Sequence, residues 1–594
     1  MIIGIDLGTT NSLVSYFKDG ESILIPNEYG DYMTPSVVSI SDQNEIIVGK
    51  MAKERQLSHP DQAVSLFKRT MGTYRNYILG NKKYLSEELS AYILRSLKED
   101  AERYLGEEVQ EAVISVPAYF DEDGRSATKK AGELAGLKVE RIINEPSAAA
   151  LACRMEERKK VDNEESIDDQ VYMIFDFGGG TLDVSLVECF ENVIGVTAVS
   201  GNNQLGGSNI DLEIAKEFCL QNGISFELLD EHTKNILLKQ AEINKCLLSD
   251  KEQTVMRVMI NGQEKILEMT NDRLIKICKD ILQEVWKPVE TVLQDSFFSM
   301  EEIDKIVLIG GSSKMPSISR FLKMKTGKTP VIIGSPDMMV ALGLGIYAGM
   351  KERQEEIKDL VMTDICPFSL GVNIHNPQNK NNDLMSIVIP RNTVLPCTKK
   401  ENYQPLTLQQ RELTFRIYQG EDKYVENNIC LGELRVPLLP PQNENDTRPV
   451  ELNMTYDING LLNIEATILR TGKKCETYIV RDHYLSKKEI HAKKYELEKY
   501  KTTQKEDEQD KYLRQRAENL FCILTGSLRN YHQMYFSQYI NIMKNGTPLQ
   551  KKRAIQRFEN IMDQMEKEMC NYEIKVDDLK SEEMWDELLG DSAD

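Results

Sequence analysis

The chain has 594 residues, and its 73 lysine plus arginine residues against 94 aspartate plus glutamate residues give a formal net charge of -21. This length predicts roughly three or four domains, and a hydrophobic content of 41% excludes an intrinsically disordered chain. The acidic balance argues against a nucleic-acid partner, because such proteins use basic stripes to neutralise phosphates.

The cysteines and the N-terminus indicate the compartment. The 11 cysteines include no C-x-x-C pair, so we interpret them as reduced thiols without a metal site. The first residues reach Asp6 without the basic and apolar regions of a signal peptide, which predicts a cytoplasmic protein. The most apolar stretch, residues 338–350, is shorter than the roughly 20 residues that span a bilayer. It predicts a small-residue core helix, and we expect no membrane partner.

Three short apolar runs, each ending in a glycine-bearing turn, predict strands that deliver tight turns to one place. The runs are residues 2–5, 171–175 and 306–309. The turns after the first two, residues 6–11 and 176–183, share an Asp-x-Gly core with threonine behind it, which predicts an internal duplication in two lobes. The third run leads into Gly310 and Gly311 and then a helix start at Pro316. Intervening helices are predicted at residues 88–105, 121–135 and 233–248.

The pattern changes after residue 350. A charged, glycine-free stretch around residues 351–362 predicts a domain boundary. Beyond Pro367 the chain alternates as short strands do, and Asn459-Gly460 predicts a hairpin between two of them. From residue 486 the chain becomes rich in lysine, glutamate, glutamine and leucine, which predicts a helical tail.

The paired turns predict phosphate chemistry. Glycines let backbone N–H groups approach a phosphate, threonine hydroxyls add donors, and neighbouring carboxylates can hold water around Mg²⁺. One such turn is a weak signal, whereas a matched pair with a third Gly-Gly turn predicts a grip on a triphosphate. Hydrolysis also needs a cation near the γ-phosphate and a carboxylate near the attacking water. Lys68 and Glu145 are candidates, although composition alone describes both as solvated charges.

The motifs resemble the DnaK-type seventy-kilodalton heat-shock chaperones, within the actin and sugar-kinase ATPase superfamily. The similar phosphate signatures are residues 4–12, 175–183 and 308–316, and further similar segments are residues 116–120, 141–146 and 205–207. Segments 58–61, 92–100 and 363–367 resemble the specialised HscC-like branch. The likeness covers almost all of residues 1–485 and only weakly the tail.

This resemblance implies an α/β two-lobed actin-like ATPase domain, followed by a β-sandwich peptide-binding domain and an α-helical lid. The implied boundaries are 1–355 for the nucleotide-binding ATPase domain, 356–366 for the interdomain linker, 367–485 for the β-sandwich substrate-binding domain and 486–594 for the helical lid and tail.

Carried over by position, the resemblance implies ATP and Mg²⁺ as cofactors. The implied catalytic residues are Lys68, Glu145, Asp176 and Thr181, and the implied metal residues, mostly through water, are Asp6, Asp176 and Asp183. The implied nucleotide contacts are Gly8, Thr9, Thr10, Asn11, Gly178, Gly179, Gly180, Gly206, Gly207, Glu242, Lys245, Ser249, Gly310, Gly311, Ser312, Lys314 and Asp337. The spacing of Glu242, Lys245 and Ser249 predicts one helix face. Lys314 stands where the family usually has arginine and lacks a planar guanidinium to stack on adenine, which predicts lower nucleotide affinity.

The resemblance also implies coupling between domains. The implied switch residues are Pro117, Arg125, Leu360, Val361 and Asp364. An exposed apolar linker strand can add to a sheet edge in one nucleotide state, and a linker buried permanently for stability is the alternative. The implied peptide cleft comprises Val372, Tyr403, Leu406, Leu413, Phe415 and Leu461, which core packing would use equally well.

The expected function is an ATP-dependent molecular chaperone that binds extended apolar peptide segments and controls their retention by ATP hydrolysis. The implied partners are unfolded or extended polypeptide segments and a J-domain co-chaperone, which would dock at Tyr119, Arg141, Asn144 and Asp364. The interval between Lys68 and Pro117 is shorter than in typical members, so the need for an exchange factor is left open. The alternatives are a chaperone-like regulator of one folded partner, a small-molecule kinase of the same superfamily and a filament-forming actin-like protein.

Overall fold

The computed structural model describes residues 1–41, 44–159, 169–378, 382–478 and 505–571. Within these ranges the chain forms a unit of two large sheets, an all-β unit and three C-terminal helices. The predicted boundary between residues 485 and 486 lies outside the described residues. None of the described helices is long and apolar enough to cross a membrane.

The first half of the two-sheet unit, residues 1–159, is built on the predicted strand, glycine turn and second strand. Its elements are β1 (Ile2–Asp6), β2 (Asn11–Lys18), β3 (Glu21–Ile25), β4 (Thr34–Pro35), β5 (Val38–Ile40), β6 (Ile46–Val48), α1 (Lys50–Ser58), β7 (Ala63–Val64), β8 (Tyr77–Leu79), β9 (Lys82–Tyr84), α2 (Ser86–Leu105), β10 (Glu111–Val116), α3 (Glu122–Leu134), β11 (Lys138–Asn144) and α4 (Glu145–Arg158). The sheet order is β11-β10-β1-β2-β3, with β1 antiparallel to β2 and parallel to β10. The near-continuous apolar run of β1 is typical of a strand covered on both faces.

The second half, residues 169–363, repeats this pairing. Its elements are β12 (Gln170–Phe177), β13 (Leu182–Phe190), β14 (Val193–Asn202), α5 (Gly207–Gln221), α6 (Glu231–Leu247), β15 (Gln253–Ile260), β16 (Gln263–Thr270), α7 (Asn271–Ile277), α8 (Lys279–Ser296), β17 (Lys305–Ile309), α9 (Pro316–Thr326), α10 (Met339–Lys351) and β18 (Val361–Thr363). The sheet order is β17-β12-β13-β14-β18, with β12 antiparallel to β13 and parallel to β17. The predicted duplication is therefore confirmed at the level of strand pairing.

Helices α4 and α10 form a layer between the two sheets. The predicted small-residue core helix is confirmed by α10, which packs against α4, β1 and β2 within an apolar cluster shared by both sheets. An added Cβ at Gly343 would lie 1.8 Å from the carbonyl oxygen of Ala148 in α4, and one at Gly349 would lie 2.5 Å from the Phe17 ring. Glycine therefore sets how closely the layer holds the sheets.

The β unit comprises two antiparallel four-stranded sheets with an apolar core. Its strands are β19 (Leu370–Ile374), β20 (Leu384–Ile389), β21 (Cys397–Tyr403), β22 (Glu412–Gln419), β23 (Ile429–Pro437), β24 (Val450–Tyr456), β25 (Leu462–Ile468) and β26 (Lys473–Tyr478). The sheet orders are β20-β19-β22-β23 and β21-β24-β25-β26. Strand β24 alternates buried and half-buried residues, as a strand with one face on a core must. The predicted hairpin is confirmed, because Gly460 adopts φ 71° between β24 and β25.

Three tail helices, α11 (Lys505–Ile523), α12 (Gly526–Asn545) and α13 (Pro548–Glu568), pack around an apolar and aromatic core. A capping box starts α13 at Pro548: the Thr547 N–H donates to Gln550 Oε1 at 2.8 Å, and the Gln550 N–H donates to Thr547 Oγ1 at 3.3 Å. His532 is 1% exposed, and neither of its ring nitrogens has a hydrogen-bond partner among the described residues. The neighbouring rings of Phe521, Phe536 and Phe558 lie 6.1 to 6.4 Å away.

Replacing Gly343 with alanine is expected to lower the free energy of unfolding of the full chain by about 1–3 kcal/mol. Alanine gains up to about 1 kcal/mol of helix propensity, but its Cβ meets the Ala148 carbonyl oxygen at 1.8 Å, and backbone cannot yield as a flexible side chain can. Urea denaturation measures the difference. Gly195→Ala in β14 is the control, because its nearest atom lies at an ordinary 3.5 Å; equal stability of the two variants would contradict the prediction.

Burial of His532 predicts acid lability of the tail helices. Burial lowers the pKa of His532 from 6.5 to about 4, so acidification below pH 6.5 protonates the unfolded state first and stabilises it. The tail helices should lose roughly 3 kcal/mol between pH 6.5 and 4, whereas His532→Phe should remove that slope. Amide hydrogen exchange of α12 against pH measures it. His232→Phe, at an exposed site, is the control. If the slope persists in His532→Phe and is lost in His232→Phe, it does not originate from His532.

Candidate functional site

A cavity of about 1050 Å³ opens between the two halves of the two-sheet unit, where their hairpin turns meet. The predicted residues that line it are Asp6, Gly8, Thr9, Thr10, Asn11, Glu145, Asp176, Gly178, Gly179, Thr181, Glu242, Lys245, Ser249, Gly310, Gly311, Ser312, Lys314 and Asp337. Five predicted residues do not line the cavity wall and lie behind it: Lys68, Gly180, Asp183, Gly206 and Gly207. The strand ends and turns thus bring together, in one cleft, residues that lie more than 300 positions apart in the sequence.

The two duplicated turns face each other in direct contact. An added Cβ at Gly179 would lie 2.3 Å from Thr10 Cγ2, and one at Gly180 would lie 2.2 Å from Thr9 Cγ2. Distances under 3.0 Å leave room only for hydrogen, so both positions require glycine. The contact places the threonine side chains of the first turn against the glycine backbone of the second. Threonine hydroxyls and glycine N–H groups are donors that phosphate oxygens can use.

The start of helix α5 supports the second turn from behind. The N–H groups of Gly207 and Ser208 donate to the carbonyl oxygens of Gly178 and Gly179 at 3.0 and 2.9 Å. An added Cβ at Gly206 would lie 2.4 Å from Gly180 N. Gly206 and Gly207 therefore position the turn rather than line the cavity.

The third glycine turn closes the cavity beside Asp176. Gly310 has φ 80°, and an added Cβ there would lie 2.6 Å from Asp176 Oδ1. Ser312 Oγ donates to the Gly178 carbonyl at 2.8 Å, which ties the third turn to the second. Lys314 pairs with the Asp337 carboxylate at the rim, and its side chain is 40% exposed.

Three buried carboxylates meet at the base of the cleft. Asp6 ends β1, while Asp176 and Asp183 stand opposite each other in the β12–β13 pair. Burial and then the charge of Glu145 raise the pKa of Asp6 and of Asp183 to about 7, and the same two causes raise that of Asp176 well above its usual range. Asp183 Oδ2 is buried without a hydrogen-bond donor among the described residues. Among the described residues, no group of three Asp, Glu, His or Cys side chains could hold a metal ion directly. A divalent cation at this cluster would therefore be held mostly through water, as the resemblance implies.

Lys68 and Glu145 form a buried ion pair beside these carboxylates. Lys68 Nζ donates to Glu145 Oε1 at 2.5 Å, and the two side chains are 3% and 9% exposed. Lys68 lies in a short 3₁₀ helix, residues 67–70, and Glu145 begins α4 directly after β11. The reading of both as solvated charges is wrong, because each neutralises the other in a site that water barely reaches.

Sequence reasoning missed Arg69, which joins the two halves. Its Nε donates to the Gly180 carbonyl at 2.8 Å and its Nη2 donates to Asn209 Oδ1 at 2.9 Å. Burial lowers the pKa of Arg69. Its position next to Lys68 was the only local signal, and adjacency in sequence does not show that a side chain crosses a cleft.

Helix α6 forms one wall of the cavity. Glu242 accepts from Lys53 of α1 at 3.2 Å, so this ion pair also crosses between the halves. Lys245 pairs with Asp211 at 2.8 Å and donates to the Gly207 carbonyl at 3.1 Å. Burial raises the pKa of Asp211 to about 6, against the pull of Lys245. The prediction that Glu242, Lys245 and Ser249 share one helix face is wrong for Ser249. Helix α6 ends at residue 247 and Ser249 lies in the following turn, although it still lines the cavity.

The segment predicted as the interdomain linker is paired into the second sheet. Strand β18 runs parallel to β14, with Val361 opposite Val193. Leu360 is 8% exposed and packs in the core between the sheets, whereas Val361 is 49% exposed at the edge. Asp364 accepts from Ser147 of α4 at 3.2 Å, so the linker touches both halves.

The β unit contacts the two-sheet unit around Arg125. This side chain donates to Asn144 Oδ1 at 2.6 Å and to the Ala118 carbonyl at 3.2 Å, close to the buried Pro117. An added Cβ at Gly460 would lie 3.0 Å from Arg125 Cδ. Across the same contact, Asn459 accepts from the Ile142 N–H at 3.2 Å and Glu122 accepts from the Leu462 N–H at 2.9 Å. Arg391 also pairs with Asp295 of α8.

The structure does not bring the six predicted peptide contacts to one open cleft. Val372 and Phe415 are buried in the core of the β unit, and Tyr403 and Leu413 pack partly against it. Leu406 is 69% exposed. Leu461 lies in the β24–β25 hairpin that contacts the two-sheet unit. Core packing therefore accounts for two of these residues, as an alternating apolar pattern cannot distinguish a cleft wall from a core.

Facing glycine turns over a buried carboxylate cluster are typical of proteins that bind and hydrolyse nucleotides. The Hsp70 protein family model matches residues 2–78 and 75–584. "Chaperone protein DnaK" of Thermotoga neapolitana is 35% identical over 585 residues, covering 96% of each chain. The DnaK of Thermotoga petrophila is 36% identical over 544 residues and 89% of each chain, and that of Thermosipho melanesiensis is 34% identical over 587 residues, 96% of this chain and 95% of the relative.

The chain belongs to the Hsp70 family. It is an ATP-dependent molecular chaperone and an ATPase, and the resemblance seen in its motifs is confirmed. Membership decides against the small-molecule kinase and the filament protein. The finer likeness to the HscC-like branch stays a prediction.

Replacing Lys314 with arginine is expected to tighten nucleotide binding roughly two- to fivefold, because a planar guanidinium stacks on an aromatic base for about 0.5–1 kcal/mol. The ion pair with Asp337 keeps a positive charge at this rim in both chains. Equilibrium titration with fluorescently labelled ADP measures affinity. Lys314→Gln is the control for the loss of charge; unchanged affinity in Lys314→Arg would show that this side chain does not face the base.

Proposed function

We propose that the two halves of the two-sheet unit are lobes that close on ATP and Mg²⁺, and that the nucleotide state sets how long the β unit retains extended apolar peptide segments. The observation that carries this proposal is the direct contact between the two glycine turns above the Lys68–Glu145 pair. The proposed domains are residues 1–355, 356–366, 367–485 and 486–594, with the last acting as a helical lid.

In this proposal the chain positions a triphosphate and a water molecule. The turns around Thr9, Thr10 and Gly178 to Thr181 supply backbone and hydroxyl donors to phosphate oxygens. Lys68 supplies positive charge where charge develops on the γ-phosphate, and Glu145 orients water through the same buried pair. Asp6, Asp176 and Asp183 would hold Mg²⁺, which when bound neutralises phosphate charge.

The coupling proposal depends on the linker. The paired β18, the Asp364 contact and the Arg125 surface support a docked state in which the β unit rests on the two-sheet unit. We assign fast peptide exchange to ATP in this docked state, and retention to ADP after β18 leaves the sheet edge. Exposed apolar side chains of the β unit, including Ile387, Leu406 and Ile429, offer contacts to extended peptide segments.

A J-domain co-chaperone is the proposed partner of the surface that joins linker and lobes. Its proposed contacts are Tyr119, Arg141, Asn144 and Asp364. These side chains already serve the docked state, because the Tyr119 ring lies 4.3 Å from the Phe368 ring and Asn144 accepts from Arg125. A partner that binds here can therefore sense docking while it contacts the catalytic lobe.

Replacing Lys68 with alanine is expected to lower the rate of ATP turnover at least about 100-fold, because one positioned charge at a transferring phosphoryl group contributes that much. The measurement is phosphate release from the full chain under single-turnover conditions, with Mg²⁺ present. Lys138→Ala is the matched control, since this lysine is 68% exposed on β11. Equal loss in both variants would point to general damage instead of catalysis.

The same assay with a J-domain protein separates the chaperone cycle from uncoupled hydrolysis. Acceleration that requires Asp364 would support coupling through the linker, whereas acceleration that persists in Asp364→Asn would contradict it. A J-domain without its activating motif should leave turnover unchanged.

A further inference from the structure

The tail helices rest on both halves of the two-sheet unit at the mouth of the nucleotide cleft. We propose that helices α11–α13 are an intramolecular clamp that joins the two lobes across this mouth, so that nucleotide leaves only after the clamp lifts. This inference rests on the proposed function, in which the cleft between the lobes binds nucleotide.

The first set of clamp contacts is with α1 of the first half. The Asn519 side-chain amide donates to the Glu54 carbonyl at 2.6 Å and to Glu54 Oε2 at 2.9 Å. Gln515 Nε2 donates to Ser58 Oγ at 2.9 Å. The Tyr512 ring lies 5.5 Å from the Tyr29 ring. Polar and aromatic contacts together thus hold helix α11 to the edge of the cleft on the first half, which we call the first rim.

The second set is with the second half, after the end of α13. Arg257 of β15 donates to the carbonyl oxygens of Met569 and Asn571 at 3.3 and 2.9 Å, and Lys251 donates to Asn571 Oδ1 at 2.7 Å. The Val255 N–H donates to the Cys570 carbonyl at 2.8 Å, which is a backbone hydrogen bond between β15 and the tail. These contacts hold the residues directly after α13 to the edge of the cleft on the second half, which we call the second rim.

Apolar packing makes the clamp continuous between these two sets. The aromatic and aliphatic core of the tail helices is in contact with Tyr29 and Met51 of the first half and with Ile236, Ile243 and Leu247 of the second half. One hydrophobic cluster therefore includes side chains from both halves and the tail. Burial of this kind is nondirectional, so it holds the bundle in place while the hydrogen bonds set its register.

The clamped rims are the walls of the nucleotide cavity. Glu54, which accepts from Asn519, lines the cavity, as do Lys239 and Glu242 of α6. Lys239 is half-buried and pairs with Glu242 of its own helix at 3.5 Å. Partial burial lowers its pKa, but the charges of Glu242, Glu54 and Glu566 raise it above its usual range. These three carboxylates come from the second half, the first half and the tail, so all three parts place charge at this junction.

Separation of the lobes must break one of the two sets of contacts or detach the bundle as a whole. A single hydrogen bond contributes roughly 1 kcal/mol, and a loss of that size changes an equilibrium about fivefold. Several such bonds with an apolar cluster are enough to make clamp opening a slow step before nucleotide release. A partner that accelerates release would have to displace the tail helices first.

The test measures release of a fluorescently labelled, non-hydrolysable ATP analogue from the full chain with Mg²⁺, chased with excess unlabelled ATP in a stopped-flow instrument, because the docked state is assigned to ATP. The first-rim variant is Gln515→Ala with Asn519→Asp, which removes donors and puts a carboxylate beside Glu54. The second-rim variant is Lys251→Ala with Arg257→Ala. A third chain combines all four changes, and Arg553→Ala, an exposed arginine of α13, is the matched control.

We expect the combined variant to release the ATP analogue roughly fivefold to tenfold faster than the parent chain, with each single-rim variant between them and the control at the parent rate. Amide exchange at Val255, whose N–H bonds to the tail, should accelerate in parallel. Parental release from a combined variant in which Val255 exchanges fast would overturn the clamp. Unchanged protection of Val255 would also overturn it, because the named contacts would then not hold the bundle. A parent chain that does not bind the labelled ATP analogue would instead refute the proposed function.

Discussion

Contact between two backbone turns is the constraint on which the two-sheet unit depends. Gly179 and Gly180 approach Thr10 and Thr9 so closely that a methyl group would overlap the threonine side chains. The turns can approach each other only if both hairpins end at the same level of the cleft. They do so because the two halves share one pairing pattern, in which β1 and β12 each pair antiparallel with the next strand and parallel with a later one. The layer of α4 and α10 fixes the distance between the sheets by the same device, since Gly343 meets the Ala148 carbonyl. Glycine at these three positions thus sets how closely the turns and the sheets that carry the charged groups of the cleft approach each other.

The base of the cleft holds more negative than positive side chains. Asp6, Asp176, Asp183 and Glu145 face one buried lysine, Lys68, and burial raises the pKa of the three aspartates. Protonation is the cheapest way to relieve such a cluster in the absence of a cation. A divalent cation relieves it without protonation, and it then leaves the carboxylates ionised at neutral pH. In the proposed ATPase site, metal binding, phosphate binding and the ionised state of the carboxylates would therefore favour one another.

Local patterns predicted the parts of the molecule whose physics is local. Residues 171–175 were predicted as a strand and lie within β12, and the helix predicted at residues 233–248 corresponds to α6 at residues 231–247. The glycine turns could be predicted because positive φ angles, close backbone approach and phosphate binding all favour glycine at the same positions. Arg69 and Asp211 were missed, since their partners, the Gly180 carbonyl and the Lys245 side chain, lie 111 and 34 residues away along the chain. Val372 and Phe415 lie in the core of the β unit, and their cleft role stays a prediction, because apolar alternation is the same for a core strand and a cleft wall.

The other two units each span the two-sheet unit, at two separate places. The β unit reaches the first half through Glu122 and the second half through Asp295, while the tail helices reach α1 of one half and β15 of the other. A relative rotation of the halves must therefore change contacts at both places. Neither the β unit nor the tail needs to touch nucleotide to respond to it, because the geometry of the cleft is the quantity they share. The long intervals that join these contacts, 465 residues between Asn519 and Glu54, explain why no local pattern in the sequence announces this coupling.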